Sequence, residues 1–219
     1  MRQIGNVKVR FYDQPTNGIS YVRVKANIKN LPGHLRLFLP MFTDMLSNVG
    51  TKNQRYDVFN NKMLKSTTGL SVSVDKYSDA KVYEDLLDRK EQVLVSTGFL
   101  DRNIDEAFSC LTEILATPNF DEPGNISDLI KMESISIQNN IGNSGVQYAR
   151  SYSSSGLRAI QRSYEGLRSN MFLCQFAAKA LNDTGSQPLL NDAIVKMTDI
   201  ASYIFREENL EIAVHGGRD

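Results

Sequence analysis

Apolar and polar residues alternate near the start of the chain: Val7, Val9 and Phe11 interleave with Lys8, Arg10 and Tyr12, and Tyr21 to Ala26 alternates again after Pro15-Thr16-Asn17-Gly18. A period of two gives an extended chain one apolar and one polar face, so this pattern predicts two strands joined by a hairpin-like turn. From Leu35 the step changes. Leu35, Phe38, Phe42, Met45 and Val49 recur at the spacing of one helix face that ends before Gly50. Pro40 lacks a backbone donor and crowds the preceding turn, so the main helix is expected to begin near it, with a short turn before.

A second helix is expected from about Gln54 to Ser66, then a strand in which Leu70, Val72 and Val74 alternate with Ser71 and Ser73, and a further strand from Gln92 to Leu100. Asn103 precedes the helical set Ile104, Phe108, Leu111 and Leu115, and Glu106 stands three residues after it, the spacing of a capping box. Beyond Pro118 and the turn at Glu122-Pro123-Gly124 the chain reads as mostly helical. Ile126, Ile130, Ile137 and Ile141 form one stripe, and Leu190, Ile194, Met197, Ile200 and Ile204 a later one, with a break around Ser151 to Gly156. Leu210, Ile212 and Val214 alternate with Glu211, Ala213 and His215, so a strand is expected before Gly216-Gly217. Strands on both sides of a helical middle imply an α+β sandwich in which the last strand returns to the sheet.

Composition narrows the partners. The 219 residues are 41% hydrophobic, enough for a substantial core, and the 25 Lys+Arg balance 25 Asp+Glu. No net field therefore draws nucleic acid or an acidic membrane surface. Cys110 and Cys174 lie in apolar, helical surroundings, the setting of buried thiols in a reducing compartment. No apolar run is long enough for a membrane span, and Met1-Arg2-Gln3-Ile4-Gly5 lacks a signal-peptide core. These features lead us to expect a soluble, intracellular protein with neither nucleic acid nor a membrane as partner. Asn125-Ile126-Ser127 and Asn182-Asp183-Thr184 are then chance sequons.

Candidate chemistry is sparse. A zinc peptidase needs imidazole and carboxylate ligands plus a base for the bound water, whereas His34 and His215 stand far apart with no second histidine a helical turn away. No nucleophile elbow and no phosphate-binding glycine loop is present; Gly142, Gly145 and Gly156 punctuate helices instead. Arg150, Arg158, Arg162 and Arg168 alternate with Tyr148, Tyr152 and Tyr164. With a neutral chain this reads as a solvated helical face, the intermediate reading being that the arginines pair with a neighbouring domain or a peptide.

Six short segments stand in a telling order: Thr16-Asn17-Gly18-Ile19, Leu31-Pro32, Leu39-Pro40-Met41-Phe42, Val49-Gly50-Thr51, Thr68-Gly69-Leu70-Ser71-Val72-Ser73 and Leu100-Asp101-Arg102-Asn103. Asn143-Ser144-Gly145 followed by Tyr148-Ala149 extends the series. Their order and spacing resemble a domain from the non-catalytic C-terminal half of the presequence-protease subfamily of pitrilysin-family zinc metallopeptidases. The resemblance implies a single pitrilysin-like domain over residues 1–219, with a mostly antiparallel sheet and helices packed on one face. In that family four homologous domains close around a peptide chamber, and an inverted His-x-x-Glu-His helix in the first domain holds zinc. Pro40 to Thr51 is similar to that helix, with Met41, Asp44 and Met45 where the two histidines and the glutamate would fall. Thioethers in place of imidazoles remove the metal site and the general base.

A second departure is Leu70, where the family commonly has a glycine after Gly69, and the family's substrate-binding Arg and Tyr in a Gly-Gly-Ala-Tyr-Gly context have no match. The resemblance therefore assigns the chain to the third of the four domains, with no catalytic, cofactor-binding or metal-binding residue of its own and zinc only in the first domain of the parent. The expected function is a structural, substrate-chamber part of a metalloendopeptidase that degrades short unstructured peptides such as cleaved mitochondrial presequences. Its partners would be the other domains and the peptide, and its location the mitochondrial matrix. The ending just past a strand, at Gly216-Gly217, fits a domain boundary in a longer chain. The alternatives are a stand-alone inactive scaffold or binding protein and, behind both, a hydrolase with Cys110 or Cys174 as nucleophile, although neither cysteine has the electropositive setting that activates a thiol.

Overall fold

Strand β3 (Ile19–Asn27) shows how the alternation is used: Val22, Val24 and Ala26 are buried while Tyr21, Arg23 and Asn27 face outward. The computed structural model describes residues 2–79, 81, 84–88, 90–157, 159, 167–182 and 187–217. Around β3 lie β1 (Arg2–Ile4), β2 (Val7–Asp13), β5 (Ser71–Tyr77), β6 (Lys90–Leu100) and β8 (Leu210–Gly216), in a six-stranded sheet of order β1-β2-β8-β3-β6-β5. Neighbouring strands run antiparallel except for the parallel pair β2 and β8. A smaller pair, β4 (Gly50–Thr51) with β7 (Pro118–Asn119), ties two helix connections together.

The hairpin expected between β2 and β3 does not form. The turn is present, with Asn17 and Gly18 both at positive φ and the Ile19 N–H donating to the Thr16 carbonyl at 3.2 Å. Strand β8 enters between the two, in register Val9↔Ile212 on one side and Val24↔Ile212 on the other. A central position satisfies both backbone edges of β8 and places Leu210, Ile212 and Val214 against the core.

One face of the sheet carries the helices. The short α1 (Gly33–Arg36) leads into α2 (Leu39–Leu46), which accepts Pro40 in its first turn, where a missing N–H costs nothing. Helices α3 (Tyr56–Ser66) and α4 (Ile104–Ala116) follow, then α5 (Pro123–Asn143), α6 (Gly145–Ser154), α7 (Leu167–Asn182) and α8 (Gln187–Ile204). Phe42 is fully buried, its ring 5.6 Å from Phe120 and 6.2 Å from Phe205. Burying a side chain of this size stabilises the fold by about 1.5–3 kcal/mol. Ile126, Ile130 and Ile137 of α5 and all five residues of the α8 stripe are buried as well.

Two local expectations are corrected. Asn103 makes no side-chain cap: a 3-10 turn over Asp101–Asn103 leads into α4, with the Ile104 N–H donating to the Asp101 carbonyl, and the Asn103 amide donates to the Ser66 carbonyl at 3.5 Å. Helix α6 runs through Ser151 to Ser154, so the break falls in the last part of the expected Ser151–Gly156 span, at Ser155. Arg158, Arg162 and Tyr164 of the basic stretch lie outside the described residues, as does the side chain of Arg168.

Candidate functional site

The other face of the sheet carries no helix among the described residues, and its side chains follow from strand register. One row runs Tyr12, His215, Tyr21 and Gly98 across β2, β8, β3 and β6. The next runs Arg10, Ala213, Arg23, Ser96 and Ser71, and a third Lys8, Glu211, Lys25, Leu94 and Ser73. Tyr12 and His215 stack with ring centroids 4.6 Å apart, Arg10 pairs with Glu211 at 2.7 Å, and Gln92 donates to Asp75 at 2.9 Å. Arg23 and Lys25 stand on the central strand with no acidic partner among the described residues.

A groove of about 280 Å³ opens on this face, lined by Tyr21, Arg23, Thr68, Gly69, Leu70, Ser71, Ser96 and Gly98 among others. Glycine makes it possible. A Cβ at Gly98 would lie 3.1 Å from the Tyr21 ring, so the ring rests on bare backbone there. On the far wall Gly69 has φ +87°, a conformation that the following Leu70 does not share. Thr68 accepts from the Gly98 N–H at 3.0 Å, and Thr97 donates to the Gly69 carbonyl at 2.7 Å, which fixes the wall to β6.

The residues weighed for chemistry are not brought together here. Met41 and Met45 are buried in the core, where thioethers pack as flexible apolar groups. Asp44, between them in sequence, reaches solvent on the outer side of α2. Desolvation by its surroundings, then the Glu133 carboxylate, pushes its carboxyl up to about 7; its contact with solvent argues for a smaller displacement than burial alone would give. Two thioethers and one protonatable carboxyl do not suit zinc. No group of three or more His, Cys, Asp or Glu is arranged for a metal among the described residues. His34 belongs to α1, whereas His215 is stacked on Tyr12 at the far end of β8. Cys110 is fully buried in α4, its sulfur 3.9 Å from the Ser66 hydroxyl, while Cys174 is only half-buried in α7. Tyr148, from the aromatic series, accepts from the Asn170 amide at 2.7 Å and so ties α6 to α7.

Neither Arg23 nor the two serines stand out as a site in the sequence. The alternation around β3 marks an outward face, but only strand pairing places Ser71 and Ser96 beside it.

Comparison with known proteins agrees with this fold. A chain described as a conserved protein from Enterococcus faecalis V583 superimposes with a TM-score of 0.59 at 11% identity, over 99% of this chain and 48% of that one. Mitochondrial presequence protease from Danio rerio is 28% identical over 214 residues, covering 96% of this chain and 20% of that protein. The Mus musculus protein of the same name is 28% identical over 215 residues with the same coverage, and that of Gibberella zeae 25% identical over 218 residues. The chain thus spans about 20% of the length of the curated relatives it matches. No helix among the described residues is long and apolar enough to cross a membrane. The family model described as Peptidase M16 subfamily C associated matches residues 1–176, from the first strand through most of α7, and the chain belongs to that family.

Proposed function

We propose that residues 1–219 form one domain, the third of four, of a zinc metalloendopeptidase that degrades short unstructured peptides such as cleaved presequences in the mitochondrial matrix. The domain performs no chemistry. It supplies part of the chamber wall and an interface to the other domains, while zinc belongs to the first domain of the parent. The observation that carries this reading is the outer sheet face, where Tyr12, Tyr21 and Arg23 stand outward and no helix among the described residues packs on them. Such a surface offers hydrogen-bond donors and aromatic faces to an extended chain. The presequence proteases among its relatives support the substrate class.

The test measures bound metal and cleavage of a quenched unstructured peptide by the purified chain, with and without zinc. The expected result is no stoichiometric zinc and no turnover; one equivalent of zinc with chelator-sensitive cleavage would overturn the reading. For the wall, a photocrosslinker attached through Ser73→Cys, within the longer protein that contains this segment, should capture a peptide substrate. The same probe attached through Met132→Cys, at a position exposed on the helical side, should not. Equal capture at both positions would remove the open face from the chamber.

A further inference from the structure

We propose that Arg23, Ser71 and Ser96 form a carboxylate-binding subsite for a peptide lying on the open face, an assignment that rests on the chamber-wall reading above. The three residues stand side by side in one row of the sheet, Arg23 opposite Ser96 and Ser96 opposite Ser71, and all three line the same 280 Å³ groove. Directly opposed residues hold their Cβ atoms about 5 Å apart, so both hydroxyls fall within the sweep of the arginine side chain.

The groove has donors left over and no negative group to receive them. Arg10, Arg36 and Arg55 each pair with a carboxylate, at 2.7, 2.6 and 2.8 Å. Arg23 has no such partner among the described residues: Ala213 and Ser96 flank it, and Glu211, in the adjacent row, is held by Arg10. The Ser71 and Ser96 hydroxyls likewise meet no protein partner among the described residues, whereas Thr68 and Thr97 beside them are engaged with backbone. A guanidinium offers a planar fork matched to a two-oxygen, singly charged group, and two adjacent hydroxyls can complete its coordination. A phosphate, with nearly two charges, would call for a second cation, and the groove lining holds only Arg23. Gly98 lets the Tyr21 ring settle on bare backbone at one end of the groove, where it offers an apolar surface to the residue that carries the carboxylate.

Fluorescence anisotropy on the 219-residue chain tests this with three labelled unstructured peptides of one sequence. One ends in a free carboxylate, one is amidated and free of acidic residues, and one is amidated with a single internal Glu. At least one carboxylate-bearing peptide should bind about tenfold more tightly than the neutral amide, the increment of a charge-assisted hydrogen-bond pair. Which of the two gains identifies the terminal or the side-chain carboxylate as the ligand. Arg23→Ala should abolish the ratio without changing the affinity of the neutral peptide, Arg23→Lys should restore part of it, and Ser71→Ala with Ser96→Ala should reduce it. These side chains have no partner to lose among the described residues, so unchanged circular dichroism is expected for every variant. Equal binding of all three peptides, or a ratio that survives Arg23→Ala, overturns the subsite and leaves the wall reading standing. No binding of any peptide overturns both.

Discussion

Gly50 is a residue at which no side chain fits. A Cβ there would stand 2.6 Å from the Tyr56 nitrogen and 2.9 Å from the Arg55 carbonyl carbon, and closer still to the Gln54 carbonyl oxygen. All three are backbone atoms held by the Gln54 N–H bond to Thr51 and by the start of α3, so nothing swings aside. Gly50→Ala should cost about 1–3 kcal/mol and lower Tm by about 2–10 °C in a thermal melt. Asp44 makes the opposite case. Its folded carboxyl lies above the ordinary 3.8, raised by desolvation and by Glu133, so the folded state binds the proton more tightly than the unfolded chain. Stability attached to that proton is present at low pH, declines as pH rises from about 4 to 7, and is absent above. Asp44→Asn should therefore raise Tm at pH 8 by about 1–3 °C, tempered by solvent around the side chain, and flatten the dependence below pH 7. An unchanged pH profile would contradict the shift. The methionines flanking Asp44 are legible in the sequence as core residues, whereas its own surroundings are not, because Glu133 comes from a helix far along the chain.

Among the elements, one carboxylate ties α4 both to α3 and to the segment before it. Glu113 of α4 accepts from Thr51 at 2.6 Å and from Gln54 and Lys62 at 3.5 Å, with its side chain only 14% exposed. Glu113→Ala removes the acceptor for the proton of the buried Thr51 hydroxyl, which keeps only the bonds it accepts from the Asn53 and Gln54 N–H groups, and should cost about 1–3 kcal/mol, read as a lower urea midpoint with unchanged slope. Arg36 does the same for α1. It donates to the Leu31, Ile28 and Lys29 carbonyls and to Glu91 at 2.6 Å, which closes the chain between β3 and α2 onto β6. Element types are readable because each keeps its own period, from the β3 alternation to the α8 stripe. The capping-box spacing at Asn103 misleads because the Asn103 amide is engaged by the Ser66 carbonyl, a partner remote in sequence.

Across the whole molecule, β8 is the strand on which the sheet depends. It separates β2 from β3 and bonds to both, so a chain cut after Phe205 loses the middle of the sheet and not an edge. Such a truncation should show no cooperative unfolding transition by circular dichroism, whereas removal of β1, whose residues are exposed, should leave the transition in place. A cooperative melt of the first variant would refute the central role of β8.

Local pattern was enough to specify most strands and helices and the α+β class, because period and proline position are properties of neighbouring residues. The insertion of β8 into the sheet, the alignment of Arg23 with Ser96 and Ser71, and the approach of Glu133 to Asp44 all join residues remote in sequence. Those pairings depend on which buried faces fit together once loop-closure entropy has been overcome, and no local period encodes that choice.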